Sequence, residues 1–141
     1  MPINVDITVP LNLSTSEIVR WVQKADQSGF HGVGLADHPE RGHDVFVLLA
    51  LAASHTSNIW LYPSIANPVT RDPVNLATSI NTLNGIAPGR IKLAIGTGDS
   101  ALKPFGQKPA TVDQMRASVN AIKSLLNGNS ILSGPDTQEF S

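Results

Sequence analysis

The chain is predicted to be an α/β protein, its parallel (β/α) units forming half of a TIM-type (β/α)8 barrel with four strands and four helices. Three observations carry this expectation. Strands begin near residues 3, 32, 59 and 91, about thirty residues apart, the length of a βαβ unit. Helical periodicity follows each strand, and such alternation gives parallel strands with right-handed crossovers. Finally, the strands are two-faced. Odd positions are aliphatic (Ile3, Val5, Ile7, Val9, Val33, Leu35, Ile59, Leu61, Ile91, Leu93, Ile95). Even positions are mostly small or polar (Asn4, Asp6, Thr8, Gly32, Gly34, Ala36, Ser64, Ala94, Gly96). A doubly wound sheet buries both faces under helices and calls for apolar residues on both. A face of small and polar residues fits the inside of a barrel near its active-site end. Trp60, Tyr62 and Lys92 are the large exceptions on that face.

The elements follow in order. Residues 3–9 alternate with period two, as a half-buried strand does, and Pro10 ends the run. Ser14 and Glu17 form a capping box; Ile18, Val22 and Ala25 continue at helical spacing, giving a helix over 15–28 that stops at Gly29. Residues 31–36 form the second strand, and a polar loop covers 37–43. Asp44 caps a helix over roughly 45–55, and 59–64 is the third strand. Asp72 and Pro73 are an N-cap and a first helical residue, with Val74, Ala77, Ile80 and Leu83 as the buried stripe. Pro88-Gly89 breaks the chain before the fourth strand, 91–95. Thr111 and Gln114 form a second capping box, and Val112, Met115, Val119, Ile122 and Leu126 make a long amphipathic helix ending near Gly128. Residues 1–128 are therefore the half-barrel, and 129–141 a tail or linker toward a second half.

Composition removes several function classes. With 10 Lys+Arg against 11 Asp+Glu, the net charge is −1, without the basic excess of a nucleic-acid binder. At 41% hydrophobic and 15% charged residues, the chain is too apolar for disorder. There is no cysteine, hence no disulfide, thiolate nucleophile or cysteine-held metal. The longest apolar run, 45–53, is well short of the ~20 residues that span a bilayer. The first residues lack an export signal, so a cytoplasmic location is expected. A complete barrel takes ~250 residues. The 141 residues are therefore expected either to belong to a longer protein or to associate with another chain, since open sheet edges favour association.

In parallel β/α folds ligands bind at the carboxyl ends of the strands, here segments 8–12, 36–44, 64–71 and 96–106. Asp37-His38 ends strand two; an adjacent acid and imidazole can transfer a proton or bind a polar ring edge, or can serve only as loop cap and loop residue. Gly96-Thr97-Gly98-Asp99 ends strand four, where glycines let a backbone approach a ligand or simply make a tight turn. Ser64-Ile65-Ala66-Asn67-Pro68 ends strand three and suits either a bulge against a flat ligand or an ordinary exit. The four histidines, His31, His38, His43 and His55, lack metal-ligand spacing, so no metal is expected. Arg71 and Arg90 read as surface or packing arginines.

These segments resemble the bacterial-luciferase-like family of flavin- and deazaflavin-dependent oxidoreductases. The resemblance is carried by Gly34-Leu35-Ala36-Asp37-His38, Asn67-Pro68-Val69-Thr70-Arg71-Asp72-Pro73, Ala77-Thr78-Ser79-Ile80-Asn81-Thr82-Leu83, and the run 88–100 through Gly96-Thr97-Gly98-Asp99. The second half of the pattern looks most like the methylene-tetrahydromethanopterin reductase branch, which uses coenzyme F420. The resemblance implies an eight-stranded barrel with the cofactor ring across its mouth, F420 being expected and FMN the alternative. Asp37 and His38 would lie beside the ring as the catalytic pair. Ser64, Ile65, Ala66 and Asn67 would pass under it, where the family often has a bulge with a non-proline cis peptide. Thr97, Gly98 and Asp99 would border the ring or its side chain. The implied reaction is hydride transfer to or from a small organic substrate, or monooxygenation in the flavin branch. Barrel phosphate sites usually come from the loops after strands seven and eight, so the resemblance also implies that these residues are inactive alone. The rival expectations are a self-associating half-barrel that binds flavin without catalysis, a chain without cofactor affinity, and a flavodoxin-like sheet using 96–99 for phosphate.

Overall fold

The computed structural model describes residues 3–128; the expected tail, 129–141, lies outside them. The α/β order and parallel sheet are as expected: β1 (Asp6–Val9), α1 (Thr15–Gln27), β2 (Gly32–Leu35), α2 (Val45–Ser54), β3 (Trp60–Pro63), α3 (Pro73–Ile86), α4 (Asp99–Leu102) and α5 (Val112–Leu126). The sheet order is β1-β2-β3, with Asp6 level with Gly32 and Trp60, and Thr8 level with Gly34 and Tyr62. Both expected capping boxes form, at Ser14/Glu17 and Thr111/Gln114. Asp44 and Asp72 cap α2 and α3 through the backbone N–H groups of Phe46, Val47 and Val74.

The expectation of four strands and four helices is corrected, among the described residues, to three strands and five α-helices. Residues 91–95 do run parallel to β3, but only as isolated bridges, Leu61 to Ile91 and Ala66 to Ile95. From Leu61 to Ala66 is five residues and from Ile91 to Ile95 is four. The extra residue is a bulge, which interrupts the ladder, and it contains a cis peptide between Ser64 and Ile65. The additional helix, α4, is a single turn whose N-cap is Gly98, with no capping side chain. The capping and periodicity signals that mark longer helices are absent from it.

The core lies between the sheet and α1, α2 and α3. Val33, Leu35 and Leu61 are fully buried there with Ile18, Val22, Leu49 and Leu76. Ile3 and Val5 break the odd-position rule at 88% and 50% exposed, because the strand starts only at Asp6 and both residues precede it. At the amino ends of the strands, Asp26 accepts N–H groups from Ser57, Asn58 and Ile59 (2.8, 3.2 and 2.9 Å). Arg90 is the packing arginine expected, donating to the carbonyls of Ala53, Thr56 and Ile59.

The large even-face residues form a polar cluster around Asp6. Its carboxylate meets His31 Nδ1 at 2.8 Å, the Tyr62 hydroxyl at 3.0 Å and Lys92 Nζ at 3.8 Å. Lys92 also lies over the Trp60 ring, 4.8 Å from its centroid. Gly32 makes the space: a methyl group there would lie 2.8 Å from the Asp6 carboxylate.

Candidate functional site

The carboxyl ends of the strands carry two neighbouring clefts. One, of about 430 Å³, is lined by His38, by Ser64, Ile65 and Ala66 of the bulge, and by residues 96–101. The other, of about 490 Å³, is lined by Thr8–Asn12 at the end of β1 and by Ala36, His38 and Arg41. His38 lines both. Seven sequence-predicted positions, His38, Ser64, Ile65, Ala66, Thr97, Gly98 and Asp99, therefore converge on one cleft.

The bulge and the 96–99 loop are built to fit one another. Ile65 is 52% exposed beside the cleft, and its Cγ2 would stand 3.4 Å from a methyl group placed on Gly96. The adjoining floor is thus small-residue backbone with one exposed aliphatic side chain. Gly98 holds φ at 90°, a conformation that L side chains rarely adopt. Gly34 lets the bulge settle onto β2, since a methyl group there would lie 2.7 Å from Ser64 Cβ.

Asp37 and Asn67 do not line this cleft; they support it from behind. Asp37 is 1% exposed and takes a two-point ion pair from Arg71, Nε to Oδ2 at 2.7 Å and Nη2 to Oδ1 at 2.9 Å. The same Nη2 reaches Asp44 at 3.1 Å, and the guanidinium lies 4.8 Å from the Phe46 ring centroid. Arg71 thus joins the β2 exit to the starts of α2 and α3. Burial by itself would raise the Asp44 carboxyl; hydrogen bonds from Val47, Arg71 and Phe46, and the charge of Arg71, hold it below the usual range. Asn67 is fully buried, and its Oδ1 accepts the N–H groups of Val69 and Thr70.

Glu40 was not singled out by the sequence. Its Oε1 lies 2.8 Å from Nδ1 of His38. The available signal was the short spacing His38-Pro39-Glu40, in which proline favours a turn. Among the described residues no group of three or more His, Asp or Glu gathers as a metal site, and no helix is long and apolar enough to cross a membrane.

Comparison with known proteins bears on this geometry. A family model described as luciferase-like monooxygenase matches residues 4–137. The chain is 32% identical over 128 residues to the 5,10-methylenetetrahydromethanopterin reductase of Methanolobus tindarius, covering 88% of this chain and 38% of that protein. It is 30% identical over 130 residues to the F420-dependent hydroxymycolic acid dehydrogenase of Mycobacterium tuberculosis, covering 83% and 36%. The coenzyme F420-dependent tetrahydromethanopterin reductase of Methanopyrus kandleri superposes with a TM-score of 0.77 at 25% identity, over 89% of this chain and 40% of that one. The FMN complex of the oxygenating constituent of 3,6-diketocamphane monooxygenase from Pseudomonas putida superposes at 0.80 with 22% identity, over 99% and 43%, a likeness of fold alone. The chain thus spans well under half the length of these proteins.

Proposed function

Because the chain belongs to the luciferase-like monooxygenase family, we propose that it forms the cofactor-cleft half of an oxidoreductase that transfers hydride between coenzyme F420 and a small organic substrate. The observation that carries this reading is the convergence of His38, the 64–66 bulge and the 97–99 loop on one cleft. The floor suits a planar ring: Gly96 and Ala66 project little, and Ile65 offers apolar surface that stacking would remove from water. The F420-dependent names of two relatives support the deazaflavin over FMN.

In this reading Ser64, Ile65 and Ala66 carry one face of the ring, and Thr97, Gly98 and Asp99 border it. The bound ring supplies the redox chemistry, as cofactors do. The protein's residues position it and handle the accompanying proton. His38 is the residue in place for that, because it lines both clefts: a substrate in the β1–β2 cleft and a ring in the other would meet beside it. Asp37 acts through Arg71, holding the loop that carries His38. The open β1 edge fits completion by further β/α units, from the rest of a longer chain or from a second copy, and turnover is assigned to the completed barrel. A cleft open on one side does not exclude water from a hydride donor.

Titration of the 141-residue chain with F420 and with FMN, followed by cofactor fluorescence, tests the reading. Tighter binding of F420, with no turnover until the barrel is completed, is expected. Preference for FMN with rapid oxygen consumption by the reduced complex would replace it with monooxygenation. Cofactor binding that stays without turnover after completion would replace it with a non-catalytic binding module. Binding of neither cofactor would overturn it.

A further inference from the structure

The orientation of His38 is set within its own loop. The 3-10 turn Pro39–Arg41 starts from His38, whose carbonyl accepts the Arg41 N–H at 2.9 Å. It closes at Gly42, in the left-handed region at φ 77°, whose N–H donates to Pro39. Pro39 pre-sets the backbone of this turn. The turn folds Glu40 back, so that its Oε1 lies 2.8 Å from His38 Nδ1. Both side chains are about three-quarters covered, at 28% and 26% exposed. Arg41 Nε stands 3.7 Å from the same oxygen. Burial would raise the Glu40 carboxyl, but the hydrogen bond to His38, a backbone hydrogen bond and the charges of His38 and Arg41 hold it below its usual value.

An ionised carboxylate accepts hydrogen bonds and has none to give. The proton in the His38–Glu40 bond therefore belongs to Nδ1. In the neutral ring this leaves Nε2 with its lone pair, and a carboxylate behind an imidazole fixes tautomer and ring direction in this way. The other histidines are engaged elsewhere: His31 with Asp6, His43 with the Leu13 carbonyl and His55 with the Leu51 carbonyl. His38 is the one that lines the clefts.

We propose that Glu40 is a positioning residue for His38, holding its ring as the Nδ1–H tautomer and leaving Nε2 as the proton-exchanging atom at the junction of the two clefts. Its functional meaning rests on the cofactor reading above; the tautomer itself does not. An imidazole without such a partner favours the opposite, Nε2–H form. A charge-assisted bond of this kind biases the tautomer ratio about tenfold or more.

The experiment is long-range ¹H–¹⁵N correlation of the histidine rings in the ¹⁵N-labelled chain. It is run near about pH 8, where an ordinary imidazole is neutral, and His38→Gln assigns the signal. The expected wild-type spectrum carries the proton on Nδ1 of His38. In Glu40→Ala, with its circular dichroism unchanged, the proton should move to Nε2 in most molecules. A wild-type His38 with its proton on Nε2 would overturn the proposal, and this needs no variant to fold. An unchanged Nδ1–H signal in Glu40→Ala would overturn it as well. Failure of the wild-type chain to bind F420 would remove the cofactor reading, while the ring spectra would still decide the role of Glu40.

Discussion

Gly98 presses its bare α-carbon against Asn67: a methyl group at Gly98 would lie 2.8 Å from Asn67 Cγ and 2.9 Å from its Cβ. A Cβ essentially never sits that close to a neighbouring carbon, and Asn67 is fully buried and tied to the backbone at 69 and 70. The two residues lock the 96–99 loop onto the segment that follows the bulge.

Gly98→Ala should therefore both destabilise the chain and disturb the cleft. The left-handed φ of 90° and the clash add, so a loss of about 2–4 kcal/mol is expected. Urea denaturation measures the loss, and a weaker F420 titration reports the cleft. Gly85→Ala, in α3 with open space where the new methyl group would stand, is the control and should be neutral or stabilising.

Removing Arg71 should cost more than removing an ordinary arginine. Arg71→Met keeps much of the packing on Phe46 but strands Asp37, 1% exposed, without its partner. Breaking a buried pair from one side typically costs about 3–5 kcal/mol. The double variant Arg71→Met/Asp37→Leu should recover part of that loss. Chemical denaturation of the single and double variants gives the comparison.

Acid should unfold the chain in part through Asp6 and Asp44. Both are held below their ordinary values: burial raises each, but His31, Tyr62 and Lys92 outweigh it at Asp6, as Val47 and Arg71 do at Asp44. A folded-state value below the unfolded one gives stability that is present above pH ~3.9 and lost as pH falls through the folded value. Asp44→Asn should flatten the stability profile below about pH 4. Denaturation midpoints measured from about pH 6 down to pH 3 check the slope.

Asp26→Ala should weaken the start of β3. Its carboxylate accepts three backbone N–H groups, from Ser57, Asn58 and Ile59. Leaving them without that acceptor should cost about 2–3 kcal/mol. Hydrogen exchange at Ile59 should accelerate, while the amides of α5 should change only with global stability.

Much of the architecture was legible because its signals are local. The capping boxes at Ser14/Glu17 and Thr111/Gln114 and the Asp72-Pro73 helix start each involve residues within one turn. The rim was legible from a general rule: parallel β/α units place ligands at strand carboxyl ends. That rule marks the segments that carry His38, Ser64 and Gly98, and these three line one cleft. The one-turn helix α4 was not legible, because it has neither a capping side chain nor a second turn to show a period. The Asp37–Arg71 pair spans 34 residues, and the sequence, weighing Arg71 alone, had no way to join them.

By itself, then, the sequence determined the order of the β/α units, their parallel sense, the face most strand positions turn to the helices and the strand ends at which the clefts open. Those follow from side-chain period and backbone sterics within a segment. Only the tertiary structure decided that Asp6 gathers His31, Tyr62 and Lys92 from three other segments. It likewise decided that Asp37 turns inward to Arg71 while its neighbour His38 turns to the clefts. It also broke the fourth strand pairing at the bulge, through one residue of register. Such choices depend on which strand positions come level and where a missing Cβ leaves room, and register is a property of the assembled sheet.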